Sequence, residues 1–189
     1  MPAGILINFA LFQATWLASV LGAANGSPLL GPIVAAFALS IHVAMSSHRF
    51  PEARLILSCA LLGFSCDTTL AFLGLVRFES HWPTSWPCPL WMLAPWVGFS
   101  LTFNGCFSWL KGRPGLAAAF GALGGPAAYW AAARMGAIHA HDTPIVTYVA
   151  VAFEYALLVP LMMRLASLCV TRRHAGDACS RTAAPKGAA

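Results

Sequence analysis

Charge is what this sequence has least of. Charged residues fill 9% of the 189 positions and hydrophobic residues fill 59%, whereas soluble domains are about 25% charged and 45–50% apolar. The formal net charge is +5, but there is no folded basic domain that could present a charged face to a nucleic acid. The composition therefore excludes an ordinary soluble domain, argues against a nucleic-acid partner and indicates a membrane protein.

Paired cysteines and catalytic motifs are also missing. The spacing of the six cysteines matches neither a disulfide framework nor a metal site, so we expect them to behave as small apolar residues. No hydrolase, kinase or nucleotide-binding signature is present. The sequence thus predicts no metal and no cofactor, and it indicates no oligomeric state. The cysteines are Cys59, Cys66, Cys88, Cys106, Cys169 and Cys179.

What the chain does have is a series of six apolar segments, each of which predicts a helix. A run of about 20 apolar residues is long enough to cross a bilayer. We therefore predict an all-α integral membrane protein, a bundle of six transmembrane helices over residues 1–170, and a disordered cytoplasmic tail over residues 171–189. The segments run from about Ala3 to Ala24, Leu29 to Ser46, Arg54 to Val76, Leu90 to Leu110, Leu116 to Met135 and Pro144 to Val170.

The first segment has an alternative interpretation as a cleaved signal peptide, because Gly22-Ala23-Ala24 resembles a small-residue cleavage site. Against this, no Lys or Arg precedes the apolar run, and Asn8 and Gln13 interrupt it. We expect the segment to remain as the first helix.

The basic residues predict the orientation. Six spans place only Arg77 and Arg134 on one side of the membrane. The positive-inside rule then places both termini in the cytoplasm. The loop between Arg77 and Pro89, with Trp82, Pro83 and Trp86, is typical of the membrane–water interface. The opposite side receives Arg49, Arg54, Lys111, Arg113, Arg172, Arg173, Arg181 and Lys186, with Arg164 close to it.

Two acids are the main chemical leads. Asp67 and Glu154 are each the only acid in a predicted helix, and each lies about halfway along it. A carboxylate at the bilayer centre costs roughly 2.5–3.5 kcal/mol, so such a residue should face the bundle interior, be protonated or have a partner. The functional interpretation is a ligand-binding or proton-relay site. The structural alternative is a protonated acid that only hydrogen-bonds a neighbouring helix.

Other polar residues could extend a lining around the acids. Gln13 and Trp16 share a helix face, and Thr147 lies two turns before Glu154 on one face. Intramembrane amides more often bond a neighbouring helix, and aromatic residues more often pack in the core. The candidate substrate-binding or proton-relay residues are Asp67, Glu154, Thr68, Asn104, Thr147, Gln13 and Trp16.

The histidines and the small residues have simpler interpretations. His42 could pair with an acid or ligate haem, but no second deep histidine accompanies it, and we expect a structural role. His139 and His141 could share a metal, although the short loop makes this a weak pattern. Small residues at 117, 121 and 125 predict close packing of the fifth helix against another helix.

The two halves of the chain suggest an inverted repeat. Three helices precede the Trp-rich loop and three follow it, and each half has its acid in the third helix. Halves of three helices have opposite topologies, as in transporters whose binding site lies between inverted repeats.

The first segment also carries a family resemblance. Leu6-Ile7-Asn8-Phe9, Phe12-Gln13-Ala14-Thr15-Trp16 and Val20-Leu21-Gly22-Ala23-Ala24 resemble the small bacterial inner-membrane proteins of the domain-of-unknown-function 2878 family, and the Asp67 helix is similar too. The resemblance implies a multi-pass inner-membrane protein without an assigned activity, often encoded beside lipid-modifying enzymes. It implies no catalytic residue.

Three functions are compatible with these observations. The first is a protein that binds or handles a lipid or apolar small molecule, as an accessory to envelope-lipid metabolism with membrane lipids and a membrane enzyme as partners. The second is a small proton-coupled transporter that uses Asp67 and Glu154. The third is a membrane-embedded enzyme with an acid as general acid or base, which no nucleophile or phosphate motif supports.

Overall fold

The computed structural model describes residues 2–46, 49–80 and 86–182, and their side chains except those of residues 2, 3 and 170–182. Six α-helices follow one another along this part of the chain. Short 3-10 helices precede and follow the fourth, at Leu90–Met92 and Ser108–Leu110. The helices are α1 Pro2–Ala24, α2 Leu30–Met45, α3 Arg49–Phe72, α4 Leu93–Leu101, α5 Pro114–Arg134 and α6 Pro144–Thr182, and the strands are β1 Val76–Phe78 and β2 Ile138–Ala140.

Four of the helices are long and apolar enough to cross a membrane. These stretches are Gly4–Ala24, Arg49–Phe72, Pro114–Arg134 and Pro144–Cys169. α2 has 16 residues, and the apolar stretch Leu90–Leu101 around α4 is shorter still. The predicted all-helical fold is confirmed, with six helices in the described residues, of which four are candidate membrane spans.

The third helix differs from its predicted bounds of Arg54 to Val76. It begins at Arg49. Pro51 is tolerated there because it falls in the first turn, where a backbone N–H has no partner within the helix. It ends at Phe72 because Gly74 adopts φ +69° and the Leu75 N–H bonds back to the Leu70 carbonyl at 3.0 Å, a Schellman arrangement. Asp67 therefore lies five residues from the end of α3, and the expectation that it lies halfway along is wrong.

The fourth helix is interrupted, whereas the sequence predicts one helix from Leu90 to Leu110. α4 ends at Leu101, and turns follow it. The side chain of Asn8 in α1 compensates for this interruption. Its Nδ2 donates to the Leu101 carbonyl at 3.0 Å, and its Oδ1 accepts from the Cys106 N–H at 3.0 Å. One amide thus satisfies an acceptor and a donor that the broken helix leaves free.

The two strands form a ribbon that the sequence analysis missed. β1 and β2 pair antiparallel, with Arg77 opposite His139, so the connection after α3 is tied to the connection after α5. Strands of three residues are too short to show an alternating pattern. Trp82 and Pro83, part of the predicted interfacial loop, lie outside the described residues.

The prediction of a disordered tail over 171–189 stays a prediction. The helix α6 continues to Thr182. The side chains from residue 170 onward, and all of residues 183–189, lie outside the description.

α5 and α6 form the closest helix pair. A Cβ at Gly121 would lie 2.2 Å from the Tyr155 carbonyl oxygen, and one at Gly125 would lie 2.6 Å from Tyr155 Cγ. Only glycine therefore allows this approach, which confirms the predicted role of the small residues in α5. On the other side of the bundle α1, α2 and α4 pack together, and α3 packs on both α4 and α6.

The outer surface of the bundle is apolar. Phe37, Leu123 and Phe153 are 65%, 76% and 69% exposed. The buried apolar residues form one cluster near the ribbon, around Trp91 and Val151, and another toward the opposite end, around Phe103 and Met162. Such a surface suits contact with lipid rather than water.

Candidate functional site

Asp67 is the point at which three helices meet. Its side chain is fully buried. Trp96 of α4 donates from Nε1 to Oδ2 at 2.6 Å, and the Tyr129 hydroxyl of α5 donates to Oδ1. Both carboxylate oxygens therefore have a donor from another helix, which is how an intramembrane acid is stabilised by protein rather than by water.

Glycine at position 63 brings Trp96 to this acid. Gly63 lies one turn before Asp67 in α3, and a Cβ there would lie 2.1 Å from the Trp96 ring. The indole therefore lies directly against the α3 backbone, with Nε1 at the carboxylate. The ring of Tyr155 packs on the same indole, with centroids 5.1 Å apart.

Glu154 lies in α6, which packs against α3, the helix of Asp67. No hydrogen bond joins the two acids. Among the described side chains, Glu154 Oε1 is the one buried oxygen or nitrogen that has no hydrogen-bond partner. Two acids from opposite halves of the sequence thus share one region between α3 and α6, but only Asp67 is fully satisfied.

An aromatic cavity of about 420 Å³ adjoins this region. Trp96, Tyr129 and Tyr155 belong to its wall, so the two donors to Asp67 separate the acid from the cavity. None of the described residues that line it is charged. The other large side chains that line it are Phe9, Phe12, Trp16, Phe78, Trp91, Met92, Phe99, Phe107, Phe120 and Ile138.

Gln13 and Trp16 both line the cavity, as two members of one α1 face. Gln13 is half-buried and makes no hydrogen bond to another described residue. No other amide side chain in the described part of the chain lines the cavity. The Gln13 amide is therefore available to a ligand in the cavity.

The other three candidate residues do not line the cavity. Thr68 donates to the Phe64 carbonyl of its own helix at 2.7 Å. Thr147 donates to the Leu75 carbonyl at 2.5 Å and accepts from the His141 N–H at 2.9 Å. Asn104 belongs to a separate cluster. The structure places these three residues outside the cavity lining, and their polar atoms bond backbone groups and other side chains.

That separate cluster centres on Glu52, which is buried at 3% exposure. Asn104 Nδ2 donates to Glu52 Oε1 at 2.8 Å, and His42 Nε2 lies 3.1 Å from the same oxygen. Lys111 donates to Asn104 Oδ1. His42 is thus paired with an acid, as the structural interpretation expects. Sequence reasoning missed Glu52 because it assigned the residue to a loop.

His139 and His141 do not share a site. His139 Nε2 lies 2.5 Å from Glu79 Oε1 across the ribbon, whereas His141 Nδ1 accepts from the Thr143 N–H at 3.1 Å. Within the described part of the chain, no group of three His, Cys, Asp or Glu side chains could hold a metal ion.

Comparison with known proteins gives one family. The family model described as a protein of unknown function, DUF2878, matches residues 5–161. The match contains both acids and the residues that line the cavity. No curated protein and no solved structure matches the chain. The chain therefore belongs to the DUF2878 family.

Proposed function

We propose that this multi-pass membrane protein binds a lipid or another apolar small molecule in the aromatic cavity. The cavity itself is the observation that supports this. Its volume of about 420 Å³ falls within the 300–1,000 Å³ of typical ligand pockets, which are mostly apolar with a few polar groups. Gln13, which lines the cavity, supplies such a polar group.

Photolabelling tests the binding function. The purified protein would be irradiated with a diazirine-bearing fatty acid and with a diazirine-bearing compact hydrocarbon, and adducts would be located by peptide mass spectrometry. We expect saturable adducts on Phe12 and Phe120 that excess unlabelled ligand removes. Phe153 on the outer face serves as the control and should be labelled without saturation. Labelling of Phe12 and Phe120 that is no more saturable than that of Phe153 would refute the function.

The proposed setting is a bacterial inner membrane, crossed six times, with both termini in the cytoplasm. α2 and α4 lie beside the long helices, which supports their being spans. The 16 residues of α2 extend about 24 Å, less than the roughly 30 Å of hydrocarbon, a difference that local thinning of the bilayer accommodates. Phosphatase and fluorescent reporters fused at Ser80 and Gly112 should report outside and inside, and the reverse result would refute this topology.

The proposed role is that of an accessory to envelope-lipid metabolism, beside a membrane enzyme. This role is supported by the cavity, which suits a lipid or another apolar small molecule. Deletion of the gene should change the membrane lipid profile, measured by mass spectrometry of total lipid extracts. Complementation with the intact gene should restore the profile, and an unchanged profile would contradict the role.

Proton-coupled transport is the second candidate, and one observation favours it. Glu154 Oε1 is buried without a partner and lies close to Asp67, as in a site where a proton passes between two carboxyl groups. Asp67→Asn and Glu154→Gln should each abolish proton-dependent uptake into vesicles. Uptake that survives both substitutions would exclude this mechanism.

A further inference from the structure

We infer that the cavity holds one linear hydrocarbon chain of a bilayer lipid, which enters sideways between α1 and α5. The inference rests on the proposed binding function and names its ligand class and its route. It follows from the length of the cavity, the position of its opening and one glycine.

The cavity is long and parallel to the helices. Its lining extends from Phe9 to Val20 on α1 and from Phe120 to Ala132 on α5. At 1.5 Å per residue these stretches are about 16–18 Å long. A lipid chain in one leaflet occupies half of the hydrocarbon core, about 15 Å. The length of the cavity therefore matches a single chain.

The opening lies between α1 and α5. Both helices line the cavity, but they make no extensive contact with each other. Phe9 on α1 lines the cavity and is 42% exposed, and Gly124 on α5 lines it and is exposed as well. The opposite wall is closed by Trp96 and Tyr155, which pack together. The mouth therefore opens on the apolar side of the bundle, where lipid chains lie.

Gly124 has no packing role that would explain a glycine. A Cβ at Gly121 or Gly125 would collide with Tyr155, whereas one at Gly124 would meet no atom within 4 Å. Glycine destabilises a helix interior relative to alanine. The absence of a side chain at 124 keeps the mouth wide, which is what passage of a chain requires.

The lining also selects the part of the lipid that enters. Among the described residues, no charged side chain lines the cavity, and Gln13 is the only amide that does. A charged head group would lose its hydration there without a charged partner. The hydrocarbon chain therefore occupies the cavity while the polar end of the lipid stays at the membrane surface.

The test uses the protein in phosphatidylcholine nanodiscs that contain a small fraction of phosphatidylcholine with a diazirine on one chain. After irradiation, we expect adducts on Phe12 and Phe120 in the wild type and at least a tenfold loss in Gly124→Leu. Leu123→Phe is the matched control, because Leu123 is 76% exposed, and its adduct yield should equal that of the wild type. Gly124→Ala should give an intermediate yield with no loss of thermal stability.

Other outcomes distinguish failure of this inference from failure of the proposed binding function. Labelling by a compact diazirine hydrocarbon but not by the phospholipid would overturn the inference and leave the binding function standing. Labelling by a free fatty acid alone would overturn the choice of a bilayer lipid. Undiminished labelling in Gly124→Leu would overturn the lateral mouth. Absence of labelling by all three probes would overturn both the inference and the function.

Discussion

The hydroxyl of Tyr129 donates a hydrogen bond to Oδ1 of Asp67, and this contact joins α5 to α3. Trp96 donates a hydrogen bond to the other carboxylate oxygen, so Asp67 connects α3, α4 and α5. Glu154, beside it, has an oxygen with no partner. Two acids in one region therefore have opposite structural roles, and substitution should tell them apart.

Tyr129→Phe removes the donor to Asp67 and keeps the ring in place. We expect the free energy of unfolding in detergent to fall by about 1–3 kcal/mol, the cost of leaving a buried acceptor unsatisfied. Thermal unfolding measures this. Tyr148→Phe is the control, since the Tyr148 hydroxyl makes no hydrogen bond to a described residue, and it should change stability little. Equal effects of the two substitutions would contradict the role of the Tyr129 contact.

Asp67→Leu and Glu154→Leu should change the free energy of unfolding in opposite directions or by different amounts. Asp67→Leu leaves the Trp96 and Tyr129 donors without an acceptor, at about 1–3 kcal/mol each. Glu154→Leu removes a buried, unpartnered oxygen and should be neutral or stabilising. Urea or thermal unfolding of the two variants in the same detergent gives the comparison. A larger loss in Glu154→Leu would show that this acid has a partner in the folded protein.

Asn8→Ala tests how the interrupted fourth helix is stabilised. The substitution leaves the Leu101 carbonyl and the Cys106 N–H without their partner, and we expect a loss of about 1–3 kcal/mol. Asn25→Ala is the control, because the Asn25 side chain is exposed and bonds only the Leu21 carbonyl of its own helix. A stability of Asn8→Ala within 0.5 kcal/mol of the control, an approximate limit for surface changes, would contradict the capping role.

Gly63→Ala tests how Trp96 is positioned. The added methyl group would lie 2.1 Å from the indole, so the ring must move away from Asp67, and such overpacking costs about 1–3 kcal/mol. The tryptophan emission spectrum and the unfolding temperature should both change. Gly115→Ala, where a Cβ meets no atom within 4 Å, is the control and should change neither. An unchanged spectrum for Gly63→Ala would show that Trp96 is held by other contacts.

Apolar length was the reliable signal in the sequence. It predicted six helices, the residues of the first segment indicated the family, and the small-residue spacing predicted that α5 packs closely on another helix. The ends of the helices were harder to predict from the sequence. Arg49 begins α3 although charged residues and a proline follow it, and α4 ends at Leu101 in the middle of an apolar run. The break after Leu101 is stabilised by a tertiary partner, Asn8, that a local pattern does not contain.

Some residues of the candidate site could be predicted from the sequence, and others could not. Asp67 and Glu154 stand out because an acid in an apolar run is costly, and the structure brings them together. Trp96 and Tyr129 gave no such signal, since aromatic residues are common in any core. Glu52 was missed because its burial depends on Asn104 and His42, which are 52 and 10 residues away. The position of a residue in the sequence does not reveal partners that only folding brings close to it.

The pattern of helix contacts divides the bundle into two blocks. α5 and α6 form one block, since Gly121 and Gly125 let them pack closely, and α1, α2 and α4 form the other. The cavity lies between the blocks, and α3 touches both. Any ligand that changes the width of the cavity must therefore change the spacing of the two blocks about α3.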